Sequence, residues 1–155
     1  MTTSETPVPL TDKLRLGAMV RDYVTEMAAY APDADAHAPN AYFDLYWSEP
    51  EFRFPFWLKV DGGEAGFALV RREPDAGRTQ VAEFFVAPPF RRQGIGLAAA
   101  RRLIARFPGP WKITQREMNS AAIAFWHRVL DGFVAYDETI TDTDAARRQQ
   151  LFVYP

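Results

Sequence analysis

The sequence predicts an α/β fold of the α+β type, a mixed and mostly antiparallel sheet flanked by helices, built as one domain over residues 1–155. Three observations carry this prediction. A chain of 155 residues, 48% hydrophobic and 25% charged, has the size of one ordinary domain and can bury a core without staples. Two apolar runs joined by Asp61-Gly62-Gly63-Glu64 read as an antiparallel hairpin. Farther along, an apolar strand, a glycine-bearing turn, a helical pattern and a further strand read as one βαβ crossover, which places a parallel pair in the same sheet.

Taken in order, residues 1–10 are polar and read as a flexible tail. Thr11 reads as the N-cap of a helix in which Leu16, Met19, Val20, Tyr23, Val24 and Met27 recur at helical spacing, and Pro32 ends it. Residues 31–40, rich in Pro, Asp and Ala, read as a loop, and 42–47 as a short second helix. The hairpin strands are 54–60 and 65–70, and the glycines between them tolerate the positive φ of a tight turn. After a polar stretch, residues 81–86 are apolar enough for a central strand and carry one carboxylate, Glu83. Pro88 and Pro89 stop that strand. From Gly94 onward, Ile95, Leu97, Ala98, Leu103, Ile104 and Phe107 trace a helix closed by Pro108-Gly109-Pro110. Residues 111–115 read as a strand. Asn119 or Ser120 caps a last helix bearing Ile123, Trp126 and Leu130, which Gly132 closes. Strands near 133–136 and 150–154 finish the sheet.

Composition removes several classes of function. A formal charge of −2 argues against nucleic acid as the main partner, because phosphate binding needs a basic surface. With no cysteine there is no disulfide framework, zinc-thiolate site or cysteine nucleophile, and no metal is expected. The polar start and the lack of any run near the roughly 20 apolar residues of a membrane helix point to a cytoplasmic protein with no membrane partner.

The run Arg91-Arg92-Gln93-Gly94-Ile95-Gly96 lies between a strand and a helix, so several backbone N–H groups converge at a helix N-terminus. That is an anion site. Arg91 and Arg92 can add charge-assisted hydrogen bonds, while Gly94 and Gly96 let the backbone approach a phosphate closely. The alternative is a plain glycine-rich turn with solvated arginines. Gly-Lys-Ser/Thr is missing, so a Walker loop is excluded. Gly94-Ile95-Gly96-Leu97-Ala98-Ala99 also fits a dinucleotide fingerprint with Glu117 as the ribose acid, but the glycines lie well past the strand end and the hairpin precedes them.

Arg91-x-x-Gly94-x-Gly96, preceded by Phe84-Phe85-Val86-x-Pro88, resembles the acetyl-CoA motif of the GNAT superfamily of N-acyltransferases. Asn119-x-x-Ala122-x-x-Phe125-Trp126, running on to Gly132-Phe133, resembles the family's next motif, and the hairpin with Gly66-Phe67-Ala68 resembles the strands that precede both. The resemblance implies a sheet splayed between the strand ending at Val86 and the one near Thr114, with the pantetheine arm of coenzyme A in the gap. It implies that Phe84 and Val86 bind that arm through their backbones. The amides of Arg92, Gln93, Gly94, Ile95, Gly96 and Leu97 would hold the pyrophosphate, and Asn119 and Phe125 would adjoin the cofactor. Acetyl-CoA would be the co-substrate, and a primary amine of a small molecule or peptide the acceptor. A homodimer is compatible with this reading.

Transfer from a thioester to an amine needs a neutral amine, a polarised carbonyl and a proton for the departing thiolate. Glu83, a lone carboxylate in an apolar strand, is the candidate base, since burial raises a carboxyl pKa; the competing reading has it facing solvent or paired with an arginine. The Val86 N–H would polarise the carbonyl, as in similar enzymes. Many relatives place a tyrosine acid where this chain has Trp126, and an indole N–H is too weak an acid for that step. Water, the acceptor, His127, Tyr42 or Tyr46 are the alternatives, and Trp126 also reads as core. Tyr42, Tyr46, Trp47 and Trp57 are candidates for an aromatic acceptor pocket or for core packing. A non-catalytic acyl-CoA sensor is the rival function.

Overall fold

The computed structural model describes residues 1–30, 42–141 and 146–155. Its strands are β1 (Thr3–Pro7), β2 (Arg53–Val60), β3 (Gly63–Glu73), β4 (Arg78–Val86), β5 (Gly109–Arg116), β6 (Tyr136–Ile140) and β7 (Arg147–Tyr154). Its helices are α1 (Lys13–Met27), α2 (Leu45–Ser48), α3 (Ile95–Arg106) and α4 (Ser120–Leu130). The strands form one sheet in the order β1-β2-β3-β4-β5-β7-β6. All neighbours are antiparallel except β4 and β5, the pair that α3 connects. The mixed, mostly antiparallel α+β fold is therefore as the sequence indicates.

Each face of the sheet carries its own core. Leu16 and Val20 of α1 and Tyr46 of α2 pack on Trp57, Phe67, Leu69 and Phe85. On the opposite face, Ala99, Leu103 and Ile104 of α3 and Trp126, Val129 and Leu130 of α4 pack on Phe56, Ala68, Val70, Trp111 and Ile113. Alternation along β2 and β3 feeds both cores at once, which is why those strands are apolar at nearly every position. The β2–β3 turn has positive φ at both central residues, Asp61 (49°) and Gly62 (84°), the twist that suits a two-residue hairpin.

Some boundaries differ from the sequence reading. The stretch expected to be a flexible tail contains β1, an edge strand in register with β2 from Thr3↔Val60 to Pro7↔Phe56. Edge pairing needs backbone groups and no apolar pattern, so the polar side chains gave no sign of it. Thr11 does not cap α1: a 3-10 turn over Leu10–Asp12 precedes the helix, and Asp12 holds the cap position. Residues 133 and 134 bond back to Leu130 instead of starting a strand, so β6 begins later, and β7 begins earlier than its apolar residues do. Pro32 and the loop read over 31–40 lie outside the described residues; α1 itself ends at Met27, followed by a 3-10 turn over Ala28–Tyr30.

The feature that makes the site is a β-bulge. Leu69 faces Glu83 and Val70 faces Val81, so Ala82 is an extra residue in β4. Parallel pairing with β5 is confined to Thr79↔Trp111 and Gln80↔Lys112, immediately before the bulge. Beyond it, β4 and β5 diverge as far as Val86 and Arg116, which opens the sheet.

Candidate active site

At the wide end of the opening, α3 begins. Gly94 is its N-cap with φ 77°, and Arg92 is also left-handed at φ 62°, so successive backbone N–H groups turn toward one point. The first-turn amides of a helix have no intrahelical partner and carry the positive end of its dipole. The loop is braced from outside. Arg91 Nε donates to the Val86 carbonyl at 2.7 Å, its Nη2 donates to Glu26 at 2.7 Å, and its guanidinium lies 5.4 Å from the Phe85 ring centroid. Gln93 Nε2 donates to the Pro89 carbonyl at 3.1 Å. These contacts brace the loop through Arg91, which bonds Glu26 and a strand carbonyl and also lines the cavity at the start of α3. Gln93 is absent from the cavity lining, whereas Arg92 is part of it and makes no ion pair among the described residues.

Gly96 has a packing role. A Cβ there would lie 3.2 Å from both Phe125 and Val86, so the glycine lets α3 close onto β4 and α4. Gly66 is tighter still, with a Cβ only 2.1 Å from the Phe85 carbonyl oxygen.

A cavity of about 870 Å³ runs from this loop into the gap between β4 and β5. Phe84, Val86, Gly94, Ile95, Gly96, Leu97, Asn119, Phe125 and Trp126 all line it, so the sequence motifs on β4, α3 and α4 converge on one space. Asn119 serves two elements: its Oδ1 accepts from the Ala122 N–H at 3.0 Å as the cap of α4, and its Nδ2 faces Met27 Sδ at 3.8 Å. Trp126 is buried among Phe84 and Phe125, with ring centroids 5.4 and 5.0 Å away. It is a wall of the cavity.

Glu83 lies deeper, half-buried on the α1 side of the sheet, and accepts a short hydrogen bond from the Tyr23 hydroxyl. Burial raises its pKa above the usual carboxylate value, while the Tyr23 hydrogen bond and the Arg147 charge oppose that rise. Burial and the Glu83 charge together push the Tyr23 phenol well above its ordinary value. Tyr23 read in the sequence as one more core position of α1. Its separation of 60 residues from Glu83 left no local signal of the pair.

The remaining candidates divide. His127 bonds Glu138 at 2.6 Å, stacks on Tyr136 and lines neither cavity, so it is removed from the proton-transfer candidates. Trp57, expected near the acceptor, is 1% exposed and donates its Nε1–H to Asp12 at 3.0 Å; it is core beneath α1. Tyr42 and Tyr46 do share a cavity, of about 390 Å³, with Arg53, Arg71 and Gln80. Burial pushes the Tyr46 phenol up to about 12. The two cavities meet at Val81, Ala82, Glu83, Thr114 and Arg147, which line both. Glu83 is thus at their junction.

Comparison with known proteins gives the following. The family model of the acetyltransferase (GNAT) family matches residues 19–131. No curated protein sequence matches the chain. Among solved structures, an acetyltransferase of the GNAT family from Streptococcus agalactiae 2603 superposes with TM-score 0.76 at 13% identity, over 99% of this chain and 96% of that one. The ribosomal-protein-S18-alanine N-acetyltransferase from Escherichia coli gives TM-score 0.65 at 21% identity, over 98% and 94%. The PaiA N-acetyltransferase from Thermoplasma acidophilum, solved in complex with coenzyme A, gives TM-score 0.65 at 13% identity, over 99% and 100%. At such identities these likenesses show the fold.

Proposed function

We propose, from the premise that this chain belongs to the acetyltransferase (GNAT) family, that it transfers an acetyl group from acetyl-CoA to a primary amine by direct attack in a ternary complex. The observation that carries the reading is the position of Glu83, a carboxylate of raised pKa at the junction of two cavities.

The larger cavity fits the donor. It starts at the exposed amides and left-handed backbone of the α3 N-terminus, which suit a pyrophosphate, and narrows between diverging strands whose ends suit an extended amide-bearing arm. Arg92, the residues from Gly94 to Leu97, and Asn119 are the groups assigned to hold it. Acetyl-CoA supplies, when bound, an acyl thioester open to attack.

Within the chain, Glu83 takes the proton that the amine nitrogen gives up, directly or through one water. Tyr23 supplies the acid that Trp126 cannot: its phenol proton goes to the departing sulfur, and the proton held on Glu83 returns to Tyr23 along their hydrogen bond. Both groups end as they began, and the amine has lost one hydrogen. Glu83 in its ionised form is one cause of the high phenol pKa, so its protonation makes Tyr23 the more ready donor at the moment a proton is needed.

Glu83→Gln tests this reading. Thiol release from acetyl-CoA, measured over a broad amine panel, is expected to drop about 100-fold or more in kcat, with coenzyme A affinity retained. Tight coenzyme A binding without turnover on any amine would instead favour the acyl-CoA sensor.

A further inference from the structure

The smaller cavity has an unusual charge arrangement. Arg53 and Arg71 are direct cross-strand partners on β2 and β3, and like charges placed opposite each other destabilise a sheet. Both line the cavity, and Arg147 joins them from the start of β7. Against three guanidinium groups, Glu83 is the one carboxylate in the lining among the described residues.

The partners of these arginines are few. Arg53 is 9% exposed, bonds Glu49 at 3.1 Å, and has its guanidinium 5.3 Å from the Tyr42 ring centroid and 5.5 Å from that of Tyr46. Neither Arg71 nor Arg147 forms an ion pair among the described residues. With its amide turned to satisfy both atoms, Gln80 accepts from Arg71 Nη1 at 3.2 Å and donates to Glu73 at 2.8 Å, which steadies the Arg71 side chain without neutralising it. The excess positive charge beside the candidate base repels a plain alkylammonium ion. It suits an acceptor that brings its own anion, because a guanidinium binds a carboxylate through two parallel hydrogen bonds.

We infer that the cavity is a carboxylate subsite and that the acceptor is a small amino acid, its carboxylate held by Arg71 and Arg147 with Arg53 behind them, and its amine directed to Glu83. This rests on the acetyl-transfer reading above and specifies its substrate class. A volume of about 390 Å³ is the size of a small-molecule site. The tyrosine rings flanking Arg53 leave an aromatic wall for the side chain of the acceptor.

The test is acetyl-CoA turnover on the twenty amino acids, each beside its carboxamide and its decarboxylated amine, with aminoalkyl phosphates as a further arm. For the best acceptor, kcat/KM over that of its carboxamide is expected to exceed about tenfold, since a site built for a polar group rejects the analogue that lacks it. In Arg71→Gln the ratio is expected to collapse toward one, and in Arg71→Lys to recover in part, with coenzyme A affinity by calorimetry serving as the check on folding. A ratio near one in the unaltered protein, or faster turnover of the aminoalkyl phosphates, would overturn the carboxylate subsite while leaving acetyl transfer intact. Should no amine be acetylated, amino acid stabilisation in a thermal melt that is lost in Arg71→Gln would uphold the subsite and remove the transfer reading. No stabilisation and no turnover would remove both.

Discussion

Glu83 is held between opposing influences: burial drives its carboxyl toward the neutral form, and the Tyr23 hydroxyl and Arg147 stabilise the charged one. If the ionised form is the base, activity falls as pH drops through the raised pKa, with a midpoint above that of an ordinary carboxylate. Tyr23→Phe removes an influence that lowers the Glu83 pKa, so the acid limb of the kcat/KM profile is expected to move to higher pH as well as kcat falling. A limb that stays in place would show that Tyr23 does not act through Glu83. The same shift bears on stability. A carboxyl whose folded pKa is raised binds more protons folded than unfolded, so its stabilising contribution is present at low pH and lost as pH rises through the folded pKa. Glu83→Gln is therefore expected to raise the melting temperature at neutral pH while disabling turnover, a trade of stability for function.

At the level of elements, the bulge at Ala82 and the close approach at Gly66 shape the cleft. The bulge ends pairing with β5 and puts Ala82 and Phe85 on the α1 side along with Glu83. Gly66, opposite Val86, has no room for a side chain: Gly66→Ala sets a Cβ against an immovable backbone carbonyl and is expected to cost about 3 kcal/mol in a denaturant melt. The sequence announced those elements whose signal is local. The Asp61-Gly62 turn, the left-handed Gly94 ahead of α3, and the Asn119 cap and Gly132 stop of α4 were all readable, because each depends on the conformation of one or two residues. Elements defined by distant partners were not. β1 is polar and exists through backbone pairing alone. The strand read over 150–154 starts earlier, at Arg147, because pairing with β5 extends it through polar residues, and buried Gln150 exchanges two amide hydrogen bonds with Gln115 at 2.8 and 3.0 Å. The bulge carries no glycine or proline to mark it. The candidate site divides in the same way: the glycine loop ahead of α3 and Glu83 stood out in sequence, whereas Tyr23, Arg53, Arg71 and Arg147 come from four separate elements that only the fold brings together.

Across the whole molecule, a chain with net charge −2 gathers its positive features, the α3 N-terminus and the arginine-lined cavity, at the two ends of one opening in the sheet. An anionic donor and an anionic acceptor would then approach Glu83 from opposite directions. Coenzyme A at 100 times its Kd is expected to add about 2.7 kcal/mol of stability, a rise of about 5–10 °C in melting temperature for a domain of this size, and NAD little or none. Stabilisation by NAD alone would return the glycine loop to the dinucleotide reading.

The central claim, that the gap between β4 and β5 is the donor site leading to Glu83, is tested most directly by a crystal structure with coenzyme A. The predicted result is density with the pyrophosphate at the amides between Arg92 and Leu97 and the arm running between the strands, its thiol directed toward Glu83 and Tyr23. Coenzyme A bound elsewhere, or an arm that turns away from Glu83, would contradict it.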